Sequence, residues 1–185
     1  PSWSPDGNKI AFSSGGNATP SNLYTIYPDG SNQQQITSLA GYNFLSPTWS
    51  PDGRKLAAEG GILGETIDTE WGEAGRLQIW TFNADGSDPT QLTDLDAYNG
   101  YPAWSPVGSS IIFDSTVQGW ADILSVSLAD GSVTNLTNDP LQNEFAAWSP
   151  NGSKIAFVAD RDGNNEIYVM DSDGGNQTRL TNHEA

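Results

Sequence analysis

Apolar positions in this chain recur in short bursts separated by turn residues, with no helical stripe. Four segments open alike, at Trp3-Ser4-Pro5, Trp49-Ser50-Pro51, Trp104-Ser105-Pro106 and Trp148-Ser149-Pro150. Seven residues after each Trp stands an aliphatic residue: Ile10, Leu56, Ile111 and Ile155. A second set, Leu23, Ile79, Ile123 and Ile167, is followed 13 residues later by Ile36, Leu92, Leu136 and Leu180, and each of these precedes a Thr. Short runs of this kind, bounded by Gly, Pro, Asn and Asp, predict strands. Strand A ends at Trp-Ser, strand B is of the Lys9-Ile10-Ala11-Phe12 type, strand C is Leu23-Tyr24-Thr25-Ile26, and strand D runs into Ile36-Thr37. No apolar run is long enough to span a membrane as a helix, so membrane insertion is not expected.

The turns support this reading. Pro5-Asp6-Gly7-Asn8 and Pro51-Asp52-Gly53-Arg54 join A to B, where Pro fixes φ and Gly accepts positive φ. Asp29-Gly30, Asp85-Gly86, Asp130-Gly131 and Asp173-Gly174 mark C–D hairpins. Successive Trp residues lie 46, 55 and 44 positions apart. A period in the mid-forties built from short β segments predicts an all-β propeller with one four-stranded antiparallel blade per repeat. The four blades cover about 1–38, 46–94, 101–138 and 145–182, in a single propeller region. The repeating Trp residues are expected to pack between adjacent blades. An arc of four blades would leave apolar faces at both ends, so these are expected to be covered by blade 4 packing on blade 1, by neighbouring blades, or by further copies of the chain.

Composition narrows the function. Seven Lys and Arg against 23 Asp and Glu give a net charge of −16, which repels phosphate backbones and argues against nucleic acid. Such a surface attracts cations and basic proteins. The absence of cysteine removes disulfides, thiolate metal sites and a cysteine nucleophile. The opening at Pro1, with no leader ahead of it, reads as a processed, trimmed or fragmentary chain. Sequons at Asn17, Asn135, Asn151 and Asn176 would be N-glycosylation sites in a host that modifies exported proteins.

The unit Trp-Ser-Pro-Asp-Gly-x-Lys-Ile-Ala-Phe, followed by Ile-Tyr, Asp-Gly and Leu-Thr, resembles the TolB-like propeller repeat. The stretches Trp148 to Phe157, Asp160 to Tyr168 and Asp173-Gly174 carry the likeness best. The resemblance implies an extracytoplasmic setting (periplasm, cell surface or secreted) and a role as a protein-binding platform or as a domain attached to a peptidase. Family members usually have six or more blades. Val107 departs from the pattern by replacing the turn Asp.

Length variation is confined to the B–C and D–A connections, which emerge on one face. Variable loops on a rigid scaffold are where recognition is expected. Blade 2 carries the largest, from Glu59 to Arg76, with Glu65, Asp68, Glu70, Glu73 and Trp71. It is either a solvated excursion or a partner-binding arm anchored by Trp71. Trp120 is a second candidate, and the D–A residues Tyr42, Phe44, Tyr98 and Tyr101 are expected to line the same face, some of them packed beneath it. The partner-binding set is thus Trp71, Trp120, Glu70, Glu73, Tyr98 and Tyr101. Asp160, Asp162, Asn164 and Glu166 place oxygens at alternate positions, as Ca²⁺ loops do, although an Asx-rich hairpin explains them more cheaply. No cofactor is required. Catalysis is poorly supported: His183 is the single histidine, and no nucleophile elbow, zinc motif or phosphate loop occurs. The expected function is a non-catalytic, extracytoplasmic interaction or assembly module. The alternatives are the propeller domain of a larger serine peptidase and a carbohydrate-binding surface module.

Overall fold

The computed structural model describes residues 1–16, 19–69 and 72–183. Blade 1 comprises β1 (Ser2–Trp3), β2 (Ile10–Gly16), β3 (Thr19–Ile26) and β4 (Gln34–Gln35). Blade 2 begins with β5 (Tyr42–Trp49) and β6 (Lys55–Ile62). A hairpin of β7 (Thr66–Thr69) and β8 (Gly72–Gly75) follows, and then β9 (Gln78–Asn83) and β10 (Thr90–Gln91). Blade 3 contains β11 (Asn99–Trp104), β12 (Ser110–Ser115), β13 (Asp122–Ser127) and β14 (Val133–Asn135). Blade 4 contains β15 (Asn143–Trp148), β16 (Lys154–Ala159), β17 (Glu166–Asp171) and β18 (Thr178–Arg179). Each blade is a four-stranded antiparallel sheet in sequential order, and blade 2 skips its inserted hairpin.

The invariant spacing of 13 has a hydrogen-bond cause. In each blade the third-strand anchor offers its carbonyl to the amide of the aliphatic residue 13 positions on: Leu23 to Ile36 (2.7 Å), Ile79 to Leu92 (2.7 Å), Ile123 to Leu136 (2.8 Å) and Ile167 to Leu180 (2.7 Å). The following Thr then accepts the anchor's own amide through Oγ1, as Thr37 does from Leu23 (2.9 Å) and Thr93 from Ile79 (2.9 Å). The Thr hydroxyl donates in turn to the residue before the anchor: Asn22, Gln78, Asp122 or Glu166. All four have a side-chain oxygen able to accept. The short outer strand is thus pinned by one Leu/Ile-Thr pair per blade.

The Trp residues pack across blade junctions. Trp49 joins Ala11 and Ile36 of blade 1, Trp104 joins Ala57 and Ile79 of blade 2, and Trp148 joins Ile112 and Leu136 of blade 3. Trp49 and Trp104 keep only 7% and 9% of their surface exposed. Trp3, on the outer side of blade 1, is 57% exposed, and Ile167 and Leu180 of blade 4 are exposed as well. The outer faces of the first and last blades therefore display the groups that the three junctions bury. The turn glycines also interlock. A Cβ on Gly86, at φ +86°, would meet the Ile36 carbonyl oxygen of blade 1 at 1.9 Å, so only glycine fits there.

Three features differ from the sequence expectation. The sheets of blades 2, 3 and 4 begin earlier than 46, 101 and 145, because the first strand continues through a bulge at Ser46, Tyr101 and Phe145, which hold φ of 49°, 52° and 58°. Tyr42 and Phe44 belong to β5 rather than to a loop, and Phe44 is fully buried with its ring edge-on to Trp80 (5.7 Å) and Phe82 (5.0 Å). The Glu59–Arg76 segment is not a plain loop. Its first residues extend β6 to Ile62, and Thr66–Thr69 and Gly72–Gly75 pair as the β7–β8 arm.

Candidate functional site

The first strands of successive blades touch one another, β1 with β5, β5 with β11 and β11 with β15, so they form the inner edge of the arc. The bulged residues lie on these strands, and their left-handed backbone turns an amide towards the preceding blade. Tyr101 donates its amide to Glu59 Oε2 (3.1 Å), and Phe145 donates to Asp114 Oδ2 (3.0 Å). Glu59 on β6 and Asp114 on β12 occupy the same place in their blades, three residues after the anchors Leu56 and Ile111. Blades 1 and 4 have Ser13 and Val158 there. Both carboxylates are buried close to the strand ends that lead into the B–C loops, so they sit beneath the mouth of the inner edge on the B–C/D–A face.

The two sites are not equally satisfied. Glu59 also accepts the Ser46 hydroxyl on Oε1 (2.7 Å) and the Tyr98 hydroxyl on Oε2 (3.2 Å). Gly100 leaves room for this arrangement, since a Cβ there would lie 2.3 Å from both Glu59 Oε2 and the Tyr98 hydroxyl. In blade 3 the residue matching Ser46 is Tyr101, and in blade 4 the residue matching Tyr98 is Gln142. Gln142 offers no hydroxyl, and Asp114 Oδ1 is buried with no hydrogen-bond partner.

Electrostatics follow the same division. Burial pushes the Glu59 carboxyl up, while the bonds from Ser46, Tyr101 and Tyr98 oppose the rise. Asp114 is pushed up to about 8, first by burial and then by the negative charges of Glu144 and Glu59, against the pull of the Phe145 and Ala146 amides. Burial and the charge of Asp160 raise Glu144. The Tyr98 hydroxyl is raised by burial and by Glu59. The rings of Tyr101 and Phe145, whose amides these carboxylates accept, meet edge to face at 5.2 Å, 46% and 53% exposed.

Comparison with known proteins places this arrangement in a family. Residues 1–146 match the family model described as the TolB beta propeller domain. The chain belongs to the TolB β-propeller family. Residues 117–185 also match the model of the dipeptidyl peptidase IV N-terminal region. The chain is similar to TolB from Acinetobacter baumannii, at 26% identity and a TM-score of 0.79, over 98% of this chain and 42% of that one. A putative TolB from Agrobacterium tumefaciens gives 27% identity and a TM-score of 0.79, over 97% and 63% of the two chains. A puromycin-hydrolyzing peptidase of Mycobacterium tuberculosis, 19% identical with a TM-score of 0.76 over 97% of this chain and 29% of that one, shares the fold. This chain thus spans less than two thirds of each of these proteins. No curated protein matches the sequence.

Within this TolB-type propeller the residues singled out from sequence divide sharply. Tyr98 and Tyr101 come together around Glu59, although Tyr98 is half-buried and serves the carboxylate. Trp120 is half-buried in the β12–β13 loop. Glu73 lies on β8 opposite Asp68, and Glu70 and Trp71 fall outside the described residues. The root of the arm is fixed where the Leu63 amide donates to the Gly41 carbonyl (2.7 Å) and Arg76 pairs with Asp94 (3.2 Å) and Asp96 (3.5 Å).

The proposed calcium oxygens are engaged within blade 4. Arg179 bridges Asp162 Oδ2 (2.6 Å) and Glu166 Oε1 (2.8 Å), and Asp160 Oδ1 accepts the Gln142 amide (3.1 Å). Asn164 turns its Nδ2 to Glu166 (3.1 Å), and Glu166 fills the Thr-accepting position found in every blade. The Thr181 hydroxyl, the His183 amide and Arg179 hold Glu166 well below the usual carboxylate range. Among the described residues no three acidic or histidine side chains are grouped so as to hold a metal ion. Of the sequons, Asn17 lies outside the described residues and Asn135 is half-buried and bonded to Asp122 (2.7 Å). Asn151 and Asn176 are exposed at turns.

Sequence reasoning missed Glu59 as a buried strand residue and Asp114 altogether. The available signal was an acidic residue ten positions after the blade Trp, where the other blades carry Ser or Val.

Proposed function

We propose that this chain is a non-catalytic, extracytoplasmic protein-interaction module that engages its partner through the B–C/D–A face. The observation that carries the reading is the exposed Tyr101–Phe145 pair beside buried carboxylates, on the face from which the β7–β8 arm projects. Exposed aromatics in a fixed frame are the usual anchors of protein interfaces, and a net charge of −16 favours a basic partner. A second reading, the propeller part of a larger serine peptidase, draws support from the match of residues 117–185 to the dipeptidyl peptidase IV N-terminal region.

Deleting residues 64–75 tests the first reading. Blade 3 joins its second and third strands with only a short loop, so the blade 2 sheet is expected to survive the deletion. Circular dichroism should be unchanged, and capture of a cell-envelope protein by the tagged chain should fall about tenfold or more. Undiminished capture would contradict an arm-dependent interface.

A further inference from the structure

Asp114 Oδ1 is the one carboxylate oxygen among the buried, unpartnered side-chain atoms of the described residues. The side chain that carries it is only 4% exposed. Its counterpart Glu59 shows what the position requires: a bulge amide from the next blade and two hydroxyl donors. Asp114 has the Phe145 amide on Oδ2 and the weaker pull of the Ala146 amide, with no hydroxyl donor. A buried acceptor without a donor is costly, and Glu144 and Glu59 bear on it while no positive charge among the described residues does. The missing component is a donor, and a cationic one suits the field.

The same chain solves the equivalent problem in blade 4 with its own residue. Arg161 pairs with Asp139 at 2.7 Å and lies over the rings of Phe157 (5.4 Å) and Tyr168 (4.8 Å). The guanidinium is thus held by a carboxylate and by two aromatic rings, through a charge-assisted bond and cation–π attraction. At the inner mouth Asp114 pairs in register with Gly100, beside Tyr101, and accepts the Phe145 amide, and the rings of Tyr101 and Phe145 meet at 5.2 Å, so a carboxylate and two rings again stand on neighbouring residues. A metal ion is a poor substitute, because no three acidic or histidine side chains are grouped to hold one among the described residues.

We infer that the inner mouth between blades 3 and 4 receives the guanidinium or ammonium group of a basic side chain on a protein partner, with Asp114 as its counter-charge and Tyr101 and Phe145 as its walls. This rests on the reading of the B–C/D–A face as an interaction surface and names the chemistry that it recognises. The groups facing Asp114 are Glu59 from β6, Tyr98 and Tyr101 at the start of blade 3, and Glu144 from β15 with Asp160 behind it. Binding a cation draws the proton from Asp114, so affinity rises with pH through the titration of that carboxyl.

The probes are the peptide acetyl-Gly-Arg-Gly-amide and its citrulline counterpart, which keeps the shape and removes the charge. Added to the ¹⁵N-labelled chain, the arginine peptide should shift the Tyr101 and Phe145 amide signals, with a Kd on the order of 1 mM. The citrulline peptide should not. Asp114→Asn should weaken the arginine peptide about tenfold or more, and Phe145→Leu, at an exposed position, should weaken it less. Equal shifts from both peptides, undiminished binding by Asp114→Asn, or the same shifts from calcium chloride would overturn the assignment. No natural partner is needed, so the outcome is separable from that of the arm deletion. Peptide failure with arm-dependent capture intact removes only the basic side chain, whereas peptide binding with arm-independent capture removes the arm.

Discussion

Replacing Trp104 by Ala is expected to lower the unfolding free energy by about 3–5 kcal/mol, the range for large aromatic truncations in a core. The same change at Trp3 is expected to cost under about 1 kcal/mol, although the two residues open identical repeats. The difference is the blade behind each. Trp104 lies among Ala57, Ile79 and Leu92 of blade 2, whereas Trp3 is 57% exposed. The indole nitrogen of Trp104 is buried with no partner, so packing rather than a hydrogen bond holds it. Trp104→Phe should therefore lose under about 1.5 kcal/mol. Denaturant melts of the three variants decide the matter, and equal losses for Trp3→Ala and Trp104→Ala would mean that the indoles do not serve the junctions.

The second large effect lies at Asp114. Its carboxyl stands at about 8 in the folded chain, against an ordinary value of 3.8. Between those values the folded protein binds a proton that the unfolded chain lacks. The stability contributed by the neutral carboxyl is therefore full below about 4 and lost as pH rises through about 8. Asp114→Asn removes this slope while keeping the shape. The variant should match the parent near pH 4 and exceed it at pH 8 by a few kcal/mol, on the order of 3. Asp6 and Asp52, whose carboxyls are lowered first by the hydroxyls of Ser4 and Ser50, act alike in both proteins, whereas Glu59 and Glu144, also raised, feel Asp114 only where it is ionised. Melting curves at pH 4, 6 and 8 provide the test. A loss of stability that is the same at every pH would mean that Asp114 is ionised in the folded state.

The propeller architecture was legible because its determinants repeat at fixed offsets. The Leu/Ile-Thr pair records a reciprocal hydrogen bond, and the Trp records a junction. The inner mouth was not legible, for three physical reasons. The bulges at Ser46, Tyr101 and Phe145 place non-glycine residues at positive φ, which leaves no mark in the residue type. Asp114 is one of 23 acidic residues, and its burial depends on the strand A of the next blade. The long B–C segment of blade 2 reads as a loop because Gly60, Gly61 and Gly64 interrupt its alternation, yet β6 runs through the first two. Gly60 is required there, since a Cβ would lie 2.3 Å from the Phe44 ring. The Asp160–Glu166 pattern, by contrast, was conspicuous in sequence and is spent on Arg179 and Thr181.

The central claim, that one face of this propeller meets a protein partner, is tested most directly by placing a photo-cross-linking residue at either of two positions. One replaces Phe145 at the inner mouth, and the other replaces Ala129 in the C–D turn of blade 3 on the opposite face. Irradiated in the cells that produce the protein, the chain should form a discrete adduct with another polypeptide from position 145 and none from position 129. Adducts from position 129 alone would place the working surface on the other side of the propeller and contradict this account.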